Sequence, residues 1–83
     1  MKPFNQMPWE IQKIVAVAIG LKATGSTTAS IGERIAAAFV LNNQAYLLDG
    51  YSDMVDVWGR LDDHWQTYVR LIKRDYMHLI EAG

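Results

Sequence analysis

The chain has 83 residues, 51% of them hydrophobic and 11% aromatic, which suits one domain spanning residues 1–83 with a packed core and excludes a disordered chain. It contains no cysteine, which excludes disulfides and thiolate metal sites and suits a reducing compartment. The formal net charge of −1 provides no overall field that would draw the protein to nucleic acid or anionic lipid.

A first helix is predicted over residues 8–21, ended by Gly20 or Gly25, because proline suits an opening turn. Its apolar residues recur at i, i+3 and i+4 spacing and share one face: Ile11, Ile14, Val15, Ala18 and Ile19. A buried strand is the alternative, but no other segment offers a strand to pair with it. The apolar run is about half the length of a membrane span, and Glu10 at its edge disfavours a signal peptide. We therefore expect a cytoplasmic protein without membrane contact.

The next stretch, GLKATGSTT at residues 20–28, lies one residue away from the phosphate-binding motif G-x-x-x-x-G-K-[ST]. Ser26 stands where the motif has lysine, and the preceding segment is predicted to be a helix rather than a strand. We interpret the stretch as a connector in which Gly25 permits a tight turn, and we predict no nucleotide cofactor. Whether the connector holds a single anion at the following helix stays open.

A second helix is predicted from Ser30 to about Tyr46. The residues SIGE, 30–33, match a capping box, in which serine and glutamate each satisfy a backbone N–H of the other. Five residues then follow at helical spacing: Ile31, Ile35, Ala38, Phe39 and Asn42. The alanine-rich sequence allows a neighbouring helix to approach closely.

A turn at Asp49-Gly50 precedes a short third helix, DMVDVW, which we expect Ser52 to cap and Gly59 to end. The inward residues predicted for this helix are Met54, Val55 and Trp58.

The last helix is predicted over residues 61–82. Its apolar stripe is Leu61, Trp65, Tyr68, Val69, Ile72, Tyr76, Leu79 and Ile80. Asp62 and Asp63 at its beginning agree with the helix dipole, as do the basic residues nearer its end. The predicted fold class is all-α, a small bundle of three long helices plus one short helix.

No catalytic or metal site is predicted. The sequence LDDHW places Asp62 and Asp63 beside His64, and His78 follows fourteen residues later. Consecutive residues of a helix point in different directions, so these side chains do not converge on one metal ion. We therefore predict no enzyme, no metal and no cofactor.

The aromatic residues point to an interaction surface. Nine large rings are more than so small a core can enclose, and exposed rings beside arginine are typical anchors of protein interfaces. The candidate interaction residues are Tyr46, Tyr51, Tyr68, Arg70, Lys73, Arg74 and Tyr76. We expect a protein partner or self-association as a homo-oligomer. The alternative is nucleic acid bound by the basic strip of the last helix, Arg70, Lys73 and Arg74, which the charge balance disfavours.

One resemblance adds a biological setting. The order of ATGSTTASIGERIAAAFVLNNQAY, then DMVDVWGRLDD, then a final amphipathic helix resembles a family of small helical bacterial domains of unknown function found in prophages and other mobile elements. The resemblance implies no catalytic residue. It implies a setting in which small accessory proteins often act by binding a host protein. We expect a non-enzymatic protein-interaction module, of which a mobile-element regulator or an inhibitor of a host defence complex is one concrete form.

Overall fold

Five α-helices and two short 3₁₀ turns make up the regular structure of the residues described by the computed structural model, 4–25, 29–47 and 53–82. No strand occurs within these ranges, so the predicted all-α class is confirmed. The helices are α1 (Trp9–Thr24), α2 (Ile31–Leu41), α3 (Met54–Arg60), α4 (Asp63–Asp75) and α5 (Met77–Ala82). The 3₁₀ turns are Phe4–Gln6 and Gln44–Tyr46. The prediction of one last helix is wrong, because α4 and α5 are separate.

Helix α1 runs three residues beyond its predicted end. Gly25 terminates it in the left-handed conformation, at φ 77°, and donates its N–H to the Leu21 carbonyl at 2.7 Å. Glycine adopts this conformation without steric cost, which makes it the usual end signal of a helix. Of the two predicted stops Gly25 is therefore correct, and Gly20 lies inside α1.

Helix α2 begins at the predicted capping box and ends earlier than predicted. The Ser30 side chain accepts from the Glu33 N–H, and the Glu33 carboxylate accepts from the Ser30 N–H at 3.1 Å. Asn42 then adopts a left-handed conformation at φ 54°, and the Asn43 N–H closes the helix on the Ala38 carbonyl at 3.1 Å. Asparagine tolerates this conformation better than most residues, so Asn42 caps the helix instead of continuing its face towards Tyr46.

Helix α3 starts one residue later than predicted and is not ended by Gly59. Asp53 is its N-cap, and its carboxylate accepts the N–H groups of Val55 at 3.0 Å and Asp56 at 3.3 Å. The predicted cap Ser52 and the predicted turn at Asp49-Gly50 lie outside the described residues.

The last predicted helix is interrupted at Tyr76, which has φ −125° and ψ 8°. The Tyr76 ring is 3% exposed and meets Phe4 edge to face, with 6.0 Å between ring centroids. The interruption lets α5 contact α1 as well as α4. At the other end, the Asp62 carboxylate accepts the Trp65 N–H at 2.9 Å and caps α4, in agreement with the predicted acidic start.

The core lies where α1, α2 and α4 meet. Helix α2 packs against both of the others, and its three consecutive alanines, Ala36, Ala37 and Ala38, are all fully buried. Small side chains at these buried positions allow neighbouring helices to approach closely. The radius of gyration is 11.8 Å, as expected for a folded chain of this length. Helix α3 does not lie closely along any other helix and sits at the edge of the bundle.

Two residues predicted to face inward are exposed. Ile31 is 55% exposed because it is the first residue of α2, where no described element covers it. Val55 is 82% exposed, and Val57 is buried in its place. The remaining α1 and α4 core positions follow the predicted stripes closely.

Candidate interaction surface

The predicted tyrosines do not form one exposed group. Tyr46 and Tyr68 are half-buried and pack against the core, and Tyr76 is buried within it. The expectation that Tyr76 is exposed is therefore wrong, because Tyr76 belongs to the apolar stripe that packs into the core and its ring meets Phe4 edge to face. Tyr51 lies outside the described residues.

Tyr46 and Tyr68 each take part in a contact between elements. The Tyr46 carbonyl accepts from Arg34 Nε at 2.8 Å, which fixes the Gln44–Tyr46 turn to α2. The Tyr68 hydroxyl donates to Glu10 Oε2 at 3.3 Å and links α4 to α1. Partial burial raises the pKa of Tyr68, and the Glu10 charge and hydrogen bond raise it further. Both tyrosines thus connect elements of the fold.

The predicted basic strip divides into three different contacts. Lys73 Nζ donates to the Phe39 carbonyl at 3.3 Å. This carbonyl lies in the last turn of α2, at the negative end of the helix dipole. Arg74 binds Asp75 Oδ2 through Nε at 3.1 Å and Nη2 at 3.0 Å, and this hydrogen bond and charge raise the pKa of Arg74. Arg70 instead stacks on an aromatic ring of another helix.

That ring belongs to Trp58 of α3. The Arg70 guanidinium lies 5.3 Å from the ring centroid, within the range of a cation–π interaction. Phe39 meets the same ring edge to face, at 5.0 Å between centroids and an interplanar angle of 71°. Gln66 Nε2 donates to the Trp58 carbonyl at 2.9 Å and holds the end of α3 against α4. Helices α2, α3 and α4 therefore together position one half-buried indole.

Val55 is the exposed apolar neighbour of Trp58 on the surface of α3. It lies three residues before Trp58, so the two side chains are neighbours on the helix. We call the four residues Val55, Trp58, Arg70 and Lys73 the Trp58 surface. It combines an exposed aliphatic side chain, a partly exposed indole and two cations.

Arg70 has no carboxylate partner among the residues that the structure describes. The ion pairs there join Arg60 to Asp56 at 3.2 Å and Arg74 to Asp75 at 3.0 Å. The contact with the Trp58 ring uses the charge of the guanidinium, whose five N–H donors form a planar fork that matches a carboxylate.

No protein-family model, curated protein or solved structure matches this chain. The resemblance to small mobile-element domains therefore stays an expectation.

Sequence reasoning missed Val55 as a surface residue and Trp58 as part of a site. A signal was present for the first, because Met54, Val57, Trp58 and Leu61 have i, i+3, i+4 and i+7 spacing and describe the inward face better. The stacking of Arg70 on Trp58 had no such signal, since it joins two helices.

Three further features that could mark a functional region are a metal cluster, a membrane-spanning helix and the phosphate-motif-like stretch. Within the described ranges, no three His, Asp or Glu side chains lie close enough together to hold a metal ion. No helix of those ranges has both the length and the apolar content to cross a membrane. Of the phosphate-motif-like stretch, residues 20–24 belong to α1, Gly25 caps it, and residues 26–28 lie outside the described part.

Proposed function

We propose that this protein is a non-enzymatic protein-interaction module that contacts a partner protein through the Trp58 surface. The observation that carries the proposal is the exposed Arg70 guanidinium stacked 5.3 Å from the centroid of a half-buried tryptophan. Tryptophan and arginine are the residue types most enriched among those that supply the binding energy of protein interfaces.

The fixed position of the Trp58 ring favours binding. Phe39 packs on the indole from the core, Arg70 covers part of it, and Gln66 holds the backbone of its helix end. A partner therefore meets a ring that is already ordered, which lowers the entropy cost of association. Val55 adds apolar area beside the ring, at 82% exposure.

The concrete form that we propose is a regulator of a mobile element or an inhibitor of a host defence complex. This form is supported by the sequence resemblance. Occupying a partner's surface requires no catalytic group, which agrees with a protein that acts by binding.

Two substitutions of the same kind test the surface. Val55→Glu places a charge on the Trp58 surface, and Ile31→Glu places one on another exposed aliphatic residue, at 55% exposure. Both positions lie in the first turn of a helix, where glutamate is favoured, so neither change should lower the melting temperature much. The tagged protein is used to capture partners from its native host, and the affinity for each captured protein is measured by titration.

We expect Val55→Glu to weaken binding by about 1–2 kcal/mol, or roughly 5- to 30-fold, and Ile31→Glu to leave it unchanged. Equal binding by both variants would contradict the proposal. Sedimentation of the protein alone serves as the second measurement. A dimer that dissociates on Val55→Glu would assign the surface to self-association instead.

A further inference from the structure

We infer that the Trp58 surface binds an acidic protein segment, in which a carboxylate pairs with Arg70 while a neighbouring apolar side chain packs on Trp58 and Val55. This inference rests on the proposed function and specifies the chemistry of the partner. Three features of the surface support it.

The first feature is an uncompensated positive charge. Arg70 is exposed and has no carboxylate partner among the described residues. Lys73, one helical turn away, adds a second exposed cation, whose contact is a neutral carbonyl 3.3 Å away. Charge complementarity therefore favours an anionic group in the partner.

The second feature is the small extent of this positive region. Asp62 and Asp63 precede Arg70 by eight and seven residues, or about 11–12 Å along a helix, and both are exposed. A long polyanion such as nucleic acid would meet these carboxylates, and its affinity depends on many phosphate contacts. A short segment with one or two carboxylates avoids them.

The third feature is the arrangement of polar and apolar groups. The guanidinium edge presents parallel N–H donors that match the two oxygens of a carboxylate. The indole beneath it and the exposed Val55 side chain supply adjacent apolar area. One aspartate or glutamate next to one apolar side chain satisfies both parts of the surface.

The test is a selection from a random-sequence peptide library on the immobilised protein. Enriched peptides are then titrated against the wild type and two variants, Arg70→Gln and Arg74→Gln. Each variant removes one positive charge from the same face of α4, but the Arg74 guanidinium is already paired with Asp75. Differences between the two variants therefore report on the local contact and not on net charge.

We expect enriched peptides to carry aspartate or glutamate beside an apolar residue. Arg70→Gln should weaken their binding by roughly tenfold or more, the effect of losing a charge-assisted hydrogen bond, whereas Arg74→Gln should leave it unchanged. Replacing the peptide's acidic residue by its amide should have the same effect as Arg70→Gln.

Several outcomes would overturn the inference: no enrichment, enrichment of non-acidic peptides, or equal binding by both variants. Binding of a single-stranded oligonucleotide that is lost on Arg70→Gln would assign the cation to nucleic acid. Partner capture that depends on Val55 but not on Arg70 would reject the acidic segment and retain the protein-interaction function. Capture that depends on neither residue would reject both.

Discussion

Three of the helices begin at a side chain that accepts hydrogen bonds from their first backbone N–H groups. The capping residues are Ser30 for α2, Asp53 for α3 and Asp62 for α4. The Ser30 cap is the most complete, because Glu33 is 9% exposed and its Oε1 accepts from both the Ser30 N–H and the Ser30 Oγ. These groups would otherwise lie unpaired at a partly buried helix end.

Replacing the capping serine tests this local device. Ser30→Ala removes the hydroxyl from the capping box and should lower the free energy of unfolding by about 1 kcal/mol. Urea unfolding followed by circular dichroism measures the change, and Ser30→Thr, which keeps the hydroxyl, is the control. An unchanged midpoint for Ser30→Ala would mean that the box contributes nothing to stability.

Tyr68 offers a pH-dependent readout of the contact between α1 and α4. Burial disfavours its phenolate, and the Glu10 carboxylate repels it, so the pKa of Tyr68 lies above the usual value of about 10. A raised pKa means that the stability from this group is fully present below pH about 10 and is lost as the pH rises through the pKa of the folded state.

The difference in ultraviolet absorbance between the wild type and Tyr68→Phe isolates this titration from the other tyrosines. We expect Tyr68 to ionise above its ordinary range, and Glu10→Gln to lower its pKa, because the substitution removes the repelling charge. Ionisation of Tyr68 at its ordinary pKa, or a pKa unmoved by Glu10→Gln, would contradict the contact.

The helices end for different physical reasons. Helices α1 and α2 stop at residues in the left-handed conformation, Gly25 at φ 77° and Asn42 at φ 54°. Helix α4 stops at Tyr76, whose φ is negative and whose ring is buried. Local backbone preference thus accounts for the first two ends, and packing accounts for the third.

Gly20 inside α1 and Gly25 at its C-cap separate these effects. An alanine side chain at Gly20, inside the helix, would meet no heavy atom within 4 Å, so Gly20→Ala should stabilise the protein by roughly 0.5–1 kcal/mol. Gly25→Ala should instead destabilise it by about 1–2 kcal/mol, because an L-residue is strained in the left-handed region. Thermal melting of both variants gives the comparison, and shifts of the same sign would contradict the assigned end of α1.

At the scale of the whole molecule, the three central helices enclose the core. Acidic and basic side chains are both spread over the surface. The nine acidic and eight basic side chains nearly balance, and two of the three cations on the basic strip already have partners within the chain. A broad positive face is therefore not formed by the strip.

This distribution predicts weak, non-specific DNA binding at most. Gel-shift titration at physiological salt should give no discrete complex at nanomolar protein, since few phosphate contacts are available. Arg70→Glu serves as the matched variant. A sequence-specific nanomolar complex that this substitution abolishes would favour the nucleic-acid alternative over the protein-interaction function.

The features that could be predicted from the sequence depend on residues within about one helical turn of each other. The capping box at Ser30, the acidic start of α4, the glycine end of α1 and the apolar stripes of α1 and α4 belong to this group. Caps join residues two or three positions apart, and stripes follow from the helical repeat, so the chain encodes them locally.

Which of the predicted apolar faces are covered depends on how the helices pack against each other. The interruption at Tyr76, the exposure of Val55 and the stacking of Arg70 on Trp58 each depend on residues far away in the sequence. An apolar face is buried only where another element packs against it, and α3 lies at the edge of the bundle, where Val55 has no such neighbour. The candidate interaction surface therefore arises from the packing of α2, α3 and α4, which short-range sequence patterns do not specify.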